Sequence, residues 1–241
     1  MRECTKHKEI YLITYGQNYS MKKYDVLSVD FDGTLHDSSG VSGLGRDIRV
    51  IFNQFGVDSP AVEHTMKRAL YGENGKSYTY TFEKHLAMLE REYGYHFDDE
   101  ILYALKNLVV ENKYLFSDAV TFLDYAKQIS KKLTIVSAAN PEFQLMKIRA
   151  THIENKFDEI YFTDYDKTKK LNEYASEGAR VLYINDSLKE NEDILKYCPG
   201  VSVITKYRPE KYTLEQVEAV GVPFFKTLTE IQNYVAKKFT S

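Results

Sequence analysis

The run Val26-Leu27-Ser28-Val29, followed at once by Asp30-Phe31-Asp32-Gly33-Thr34-Leu35, most constrains what this chain can fold into. A short, apolar, β-branched run with a glycine just beyond it is the pattern of a buried strand running out into a loop. In an open α/β sheet, ligands bind beyond the carboxyl ends of the strands. The two aspartates therefore stand where a ligand site would lie. Two carboxylates one residue apart are hard to keep ionised without a cation. Mg²⁺ takes oxygen ligands and is usually held by one or two carboxylates plus substrate phosphate. These residues suggest a metal-assisted phosphate site. The plain alternative is an Asp-Gly turn in which Asp32 is only a turn residue.

Asp-x-Asp-Gly-Thr-Leu after a hydrophobic strand resembles the first motif of the haloacid dehalogenase (HAD) superfamily, most of whose members are phosphatases. Three further segments resemble that family's remaining motifs, in the same order. Leu133-Thr134-Ile135-Val136-Ser137 reads as a strand ending in a hydroxyl. After it, Asn140 suits a helix N-cap and Pro141 the first helical position. Phe157 to Thr163 reads as another strand, and Asp166-Lys167-Thr168-Lys169-Lys170-Leu171 as the turn into a helix. Lys167 is the expected functional lysine, because Leu171 would face the core one helical turn later; Lys169 and Lys170 are then expected as solvated surface charges. Val181-Leu182-Tyr183-Ile184 reads as a fourth strand, ending in Asn185-Asp186-Ser187. Asp186 matches the family's metal-binding acid. Asn185 departs from the acid or glycine usual before it, and Glu190 and Asn191 stand where a further acidic or amide residue is usual.

Composition sets bounds on function. The chain has 241 residues and a net charge of −3 with scattered basic residues, which gives no nucleic-acid footprint. No apolar run approaches the ~18 residues of a membrane span. Cys4 and Cys198 show no metal spacing, so a cytoplasmic setting is expected. The resemblance begins at about Met21, and residues 1–20 are expected to form a loosely attached arm. Ile10-Tyr11-Leu12-Ile13 is too short for a signal-peptide core.

Between Asp30 and Ser137 lies far more chain than one crossover helix needs. Ile48, Ile51, Phe52 and Phe55 follow helical spacing and stop at Gly56; Phe82, Leu86, Leu89 and Tyr93 do so and stop at Gly94. Ile101, Leu105 and Leu108 make another stripe, and Met66, Leu70 and Tyr71 precede a loop over residues 72–77. Such an insertion is similar to the α-helical cap of the phosphoglycolate-phosphatase-like branch, as is Asp37-Ser38 at the first hinge. The expected architecture is α/β, a doubly wound, mostly parallel sheet with an inserted helical cap. Residues 21–40 and 115–241 would form the core and 41–114 the cap. In the core, Val120, Leu123 and Ala126 mark a helix, Val201 to Ile204 a strand, Val222 to Phe225 a further short strand, and Leu228, Ile231, Tyr234 and Val235 a terminal helix.

The resemblance implies a Mg²⁺-dependent phosphatase acting on a small phosphomonoester. Asp30 would be the nucleophile and Asp32 the general acid and base. Ser137, Lys167 and Gly33 would bind phosphate. The metal would be held by Asp30, Asp186 and the backbone carbonyl of Asp32. The implied alternatives are a sugar-phosphate mutase on the same core and a catalytically weak phosphate-ester-binding protein. Arg46, Arg68, Lys76, Tyr78 and Tyr80 are candidates for contacting an anionic or ring-bearing leaving group.

Overall fold

The computed structural model describes residues 22–72, 78–111 and 114–238. The 1–20 arm, Ile10 to Ile13, Cys4 and Lys76 lie outside them. In chain order the elements are β1 (Tyr24–Val29), α1 (Leu44–Gln54), α2 (Ser59–Tyr71), α3 (Phe82–Tyr93), α4 (Asp99–Val110), α5 (Ala119–Ile129), β2 (Ser130–Ala138) and α6 (Pro141–Ala150). They continue with β3 (Glu159–Thr163), α7 (Thr168–Ala175), β4 (Val181–Asn185), α8 (Leu188–Tyr197), β5 (Val201–Lys206), α9 (Leu214–Ala219), β6 (Phe224–Phe225) and α10 (Leu228–Lys237). The strands form one sheet in the order β3-β2-β1-β4-β5-β6, and every pairing is parallel.

This is a doubly wound sheet, and the chain reverses its direction of winding at β1, whose neighbours are β2 and β4. Val29 pairs with Ile135 of β2 and Ile184 of β4, so Asp30, Ser137 and Asp186 all emerge at the same edge. The central strands are apolar on both faces because helices cover both. Leu27, Val29, Leu133 and Ile135 share one cluster with α5 and α10; Val26, Val136 and Tyr183 share another with α7 and α8.

Helices α1 to α4 pack around an apolar cluster of their own, including Ile48, Phe52, Leu86, Leu89, Ile101 and Leu105. Phe143, Met146 and Ala150 of α6 lean against the same cluster. The Ile101, Leu105 and Leu108 stripe is buried throughout, and the stripes of α1 and α3 fail only at their last residues. Phe55, just past the end of α1, and Tyr93, the last residue of α3, are exposed. Val120 is exposed as well, and Phe122 takes the buried position in its place. Gly56 and Gly94 adopt positive φ just after α1 and α3. Asn140 caps α6 as expected, its side chain accepting from the Phe143 amide at 3.0 Å.

Candidate active site

Four carboxylates and three lysines meet at the carboxyl edge of the sheet. Asp30 follows β1 directly and is buried. Its carboxylate lies 2.9 Å from Lys167 Nζ, which lies 2.7 Å from Glu190. Lys167 is the N-cap residue of α7, and Leu171 is fully buried one turn on. That register aims the lysine at β1 and not into solvent. Burial pushes the Asp30 carboxyl up to about 6; Lys167 pulls against this, and Glu190 and Asp186 add to it. Burial also opposes charge on Lys167, but Asp30 and Glu190 outweigh it and hold the ammonium well above its ordinary value.

Asp186 is buried at the tip of β4, and Lys211 Nζ lies 3.1 Å from it. Gly33 explains how Asp186 approaches the first motif. A Cβ on residue 33 would collide with the Asp186 carboxylate, and its φ of 77° is one that side chains avoid. The Gly33 amide donates to the His36 carbonyl at 2.8 Å. The resemblance places Gly33 among the phosphate binders; it lines the cavity, its N–H closes the turn, and its lack of a side chain leaves room for Asp186.

Asn185 does not aim at the cavity. Its amide donates to Glu190 at 2.9 Å and to Asn191 at 3.1 Å, tying β4 to α8. Glu190 is thereby held between Asn185 and Lys167. The missing carboxylate at position 185 therefore removes no charge from the cavity wall. Ser137, at the end of β2, accepts from Gln144 Nε2 at 3.0 Å, which leaves its own hydroxyl hydrogen for a ligand.

Asp32 has partners that the motifs do not announce. Lys147 of α6 donates to both its carboxylate oxygens, at 2.6 and 2.7 Å. The Ser38 hydroxyl donates to Asp32, and His36 Nδ1 lies 2.8 Å from the same hydroxyl. A hydroxyl that gives its proton to Asp32 can only accept from His36, so the imidazole carries its proton on Nδ1. Burial, and then Lys147, depress His36 to about 3, so the ring is neutral. Burial raises the Asp32 carboxyl, but Lys147 and its other partners outweigh that and hold it below the usual carboxylate range. Lys147 escaped the motif reading. A clue to it was a polar stripe, Gln144, Lys147 and Thr151, at the helical spacing of a buried face.

The two flanking lysines differ from each other. Lys169 is exposed as expected. Lys170 is not a solvated charge: it lies 2.9 Å from Glu159 and 3.2 Å from Glu173, over the rings of Tyr161 and Tyr174. Arg46 pairs with Asp47, and Arg68 with Glu92, both away from the cavity, whereas Tyr78 and Tyr80 line it.

The cavity above these groups has a volume of about 480 Å³ and lies between the sheet edge and α1, α2 and α6. Its floor offers hard oxygen donors from Asp30 and Asp186, and burial, with the nearby Glu190 and Asp186 carboxylates adding to it, makes Asp30 resist ionisation. That donor set fits a divalent cation such as Mg²⁺. Among the described residues no group of three His, Cys, Asp or Glu side chains encloses a metal, so backbone oxygen, water and substrate would complete the shell.

A family model described as haloacid dehalogenase-like hydrolase matches residues 29–194. No curated protein matches the sequence. Among solved structures, a protein described as a haloacid dehalogenase-like hydrolase from Burkholderia xenovorans is similar with a TM-score of 0.64 at 13% identity, over 89% of this chain and 98% of that one. The HAD-hydrolase YfnB from Bacillus subtilis, bound to magnesium, is similar with a TM-score of 0.59 at 16% identity, over 89% and 100%. A protein described as a beta-phosphoglucomutase from Thermotoga maritima reaches 0.60 at 15% identity, over 88% and 99%. At these identities the likeness is one of fold. Among the described residues no helix is long and apolar enough to cross a membrane.

Proposed function

The chain belongs to the haloacid dehalogenase-like hydrolases, and on that premise we propose that it hydrolyses a small phosphomonoester through a phosphorylated Asp30. The observation that carries this reading is the pair Asp30 and Asp32 at one strand tip, with Lys167 against the first and Lys147 against the second. Cleaving a carbon–halogen bond needs no acid at position 32, whereas an alkoxide leaving group does.

In this mechanism an Asp30 carboxylate oxygen attacks phosphorus, and the bond to the ester oxygen breaks. The departing oxygen takes a proton from Asp32. Water then attacks the aspartyl phosphate, gives a proton back to Asp32, and releases inorganic phosphate. Lys167 and the Ser137 hydroxyl bind phosphoryl oxygens where charge develops. A Mg²⁺ ion held by Asp30, Asp186 and the Asp32 carbonyl would neutralise charge on nucleophile and phosphate. Since Lys147 holds Asp32 ionised, the acid step requires Asp32 to turn from Lys147 toward the substrate. The helices α1 to α4 act as a cap that excludes water while the ester is bound.

The test is phosphate release from a panel of phosphomonoesters with and without Mg²⁺, in the wild type and in Asp30→Asn. Metal-dependent release that the substitution abolishes supports the reading. Transfer of the phosphoryl group to a second hydroxyl of a hexose phosphate, with no free phosphate, would make the enzyme a mutase instead.

A further inference from the structure

The carboxylate floor receives the phosphoryl end of a ligand, and the rest of the cavity decides what may be attached to it. Leu44 and Ile48 of α1, Met66, Leu70 and Tyr71 of α2, and Phe143 of α6 face that space. Tyr71 meets Tyr78 edge to face, with ring centroids 5.2 Å apart. The wall is thus aliphatic and aromatic, and the volume of about 480 Å³ lies within the range of small-molecule sites.

The charges in the cavity are already balanced. Its described lining carries five basic side chains and five acidic ones. Each basic group is committed. Arg49 binds Glu63 and the carbonyls of Gly40 and Gly45. Lys147 binds Asp32, Lys167 binds Asp30 and Glu190, Arg208 binds Asp37 and Glu210, and Lys211 binds Asp186. A phosphomonoester near neutral pH brings a charge of about −1.5 to −2, which a divalent cation offsets. With these pairs in place, a carboxylate or second phosphate on the leaving group would find no uncommitted cation among the described residues that line the cavity, and burying it unpaired is costly.

From this we infer that the substrate is a monophosphate ester of an uncharged, largely apolar alcohol, aromatic or aliphatic, whose body lies against Leu44, Ile48, Met66, Leu70 and Tyr71. The inference rests on the phosphomonoester reading of the site, yet it can be tested without turnover. Phosphonates cannot be hydrolysed at their P–C bond, so they report on the subsite alone. Binding of 2-phenylethylphosphonate and 2-carboxyethylphosphonate is measured by calorimetry on the full chain with Mg²⁺. The phenyl compound should bind about tenfold or more tightly, as expected for an apolar pocket that offers an anion no partner. Leu70→Lys, which adds a free cation to the wall, should narrow or invert that preference. Equal binding in the wild type, or tighter binding of the carboxylate, would overturn the inference. The phosphatase reading is judged separately, on phosphate release from 2-phenylethyl phosphate.

Discussion

Lys147 Nζ grips both oxygens of the Asp32 carboxylate, at 2.6 and 2.7 Å, from a helix that begins four residues after the Ser137 strand tip. The contact joins α6 to the loop after β1 and sets the charge state of the group assigned to acid–base work. The lysine also lies over the rings of Phe31 and Phe143, which leaves it little freedom to pair elsewhere.

Replacing Lys147 with Met should let the Asp32 pKa rise, since burial then acts against a weaker opposing charge. A general acid works in its protonated form, so the descending limb of the kcat/KM profile should move to higher pH. Phosphate release between pH 5 and 9 measures this. A limb that does not move would separate Lys147 from the control of Asp32.

Asp30→Asn should remove turnover and leave the fold in place, because the amide matches the carboxylate in shape but cannot attack phosphorus. It should also stabilise the metal-free protein at neutral pH. Burial raises the Asp30 carboxyl from 3.8 to about 6, so the folded state holds its proton more tightly than the unfolded chain does. The native carboxyl is then uncosted below about pH 4, and its charge weighs on the fold in full above about pH 6. Thermal unfolding in EDTA should show the Asn variant ahead at pH 7 and level with wild type near pH 4. A lower Tm for Asp30→Asn at pH 7 would contradict this account.

Lys167→Ala should cut kcat/KM by a factor on the order of 10²–10³, the range for losing one electrostatic donor to the transition state. Lys169→Ala should be silent. Lys170→Ala should leave kcat/KM intact and cost stability, roughly 0–1 kcal/mol, for the ion pairs with Glu159 and Glu173 that it removes. Steady-state kinetics and thermal melts on the three variants separate these roles.

Asp186→Ala should raise the Mg²⁺ concentration needed for activity and weaken Mg²⁺ binding in direct calorimetry. Asn185→Ala should act on stability instead. It strips a buried hydrogen-bond donor from Glu190 and Asn191, a loss of about 1–3 kcal/mol. Equal effects on Mg²⁺ affinity would show that Asn185 belongs to the metal site after all.

Gly33→Ala should damage the same metal site from the other side. The new methyl meets the Asp186 carboxylate at a positive φ, so either the turn or Asp186 must move. Weaker Mg²⁺ binding together with a lower Tm is the expected result.

The strand-and-motif skeleton was legible in one dimension because each piece is local. Val26 to Val29, Leu133 to Ser137 and Val181 to Ile184 are apolar runs whose period and bounding residues mark buried strands. Asp30, Lys167 and Asp186 each follow their strand within a few residues and Ser137 lies next to the end of its own, so the topology of a parallel sheet was enough to gather them. The pairing of Lys147 with Asp32 was decided elsewhere. The two residues are 115 positions apart, and their meeting depends on how α6 sits against the sheet edge. The same holds for Lys211 on Asp186, for Arg208 on Asp37, and for the commitment of every cation in the described cavity lining. Local pattern determines which elements form and what lies at their ends. Which charge neutralises which depends on angles and separations that arise only when those elements pack.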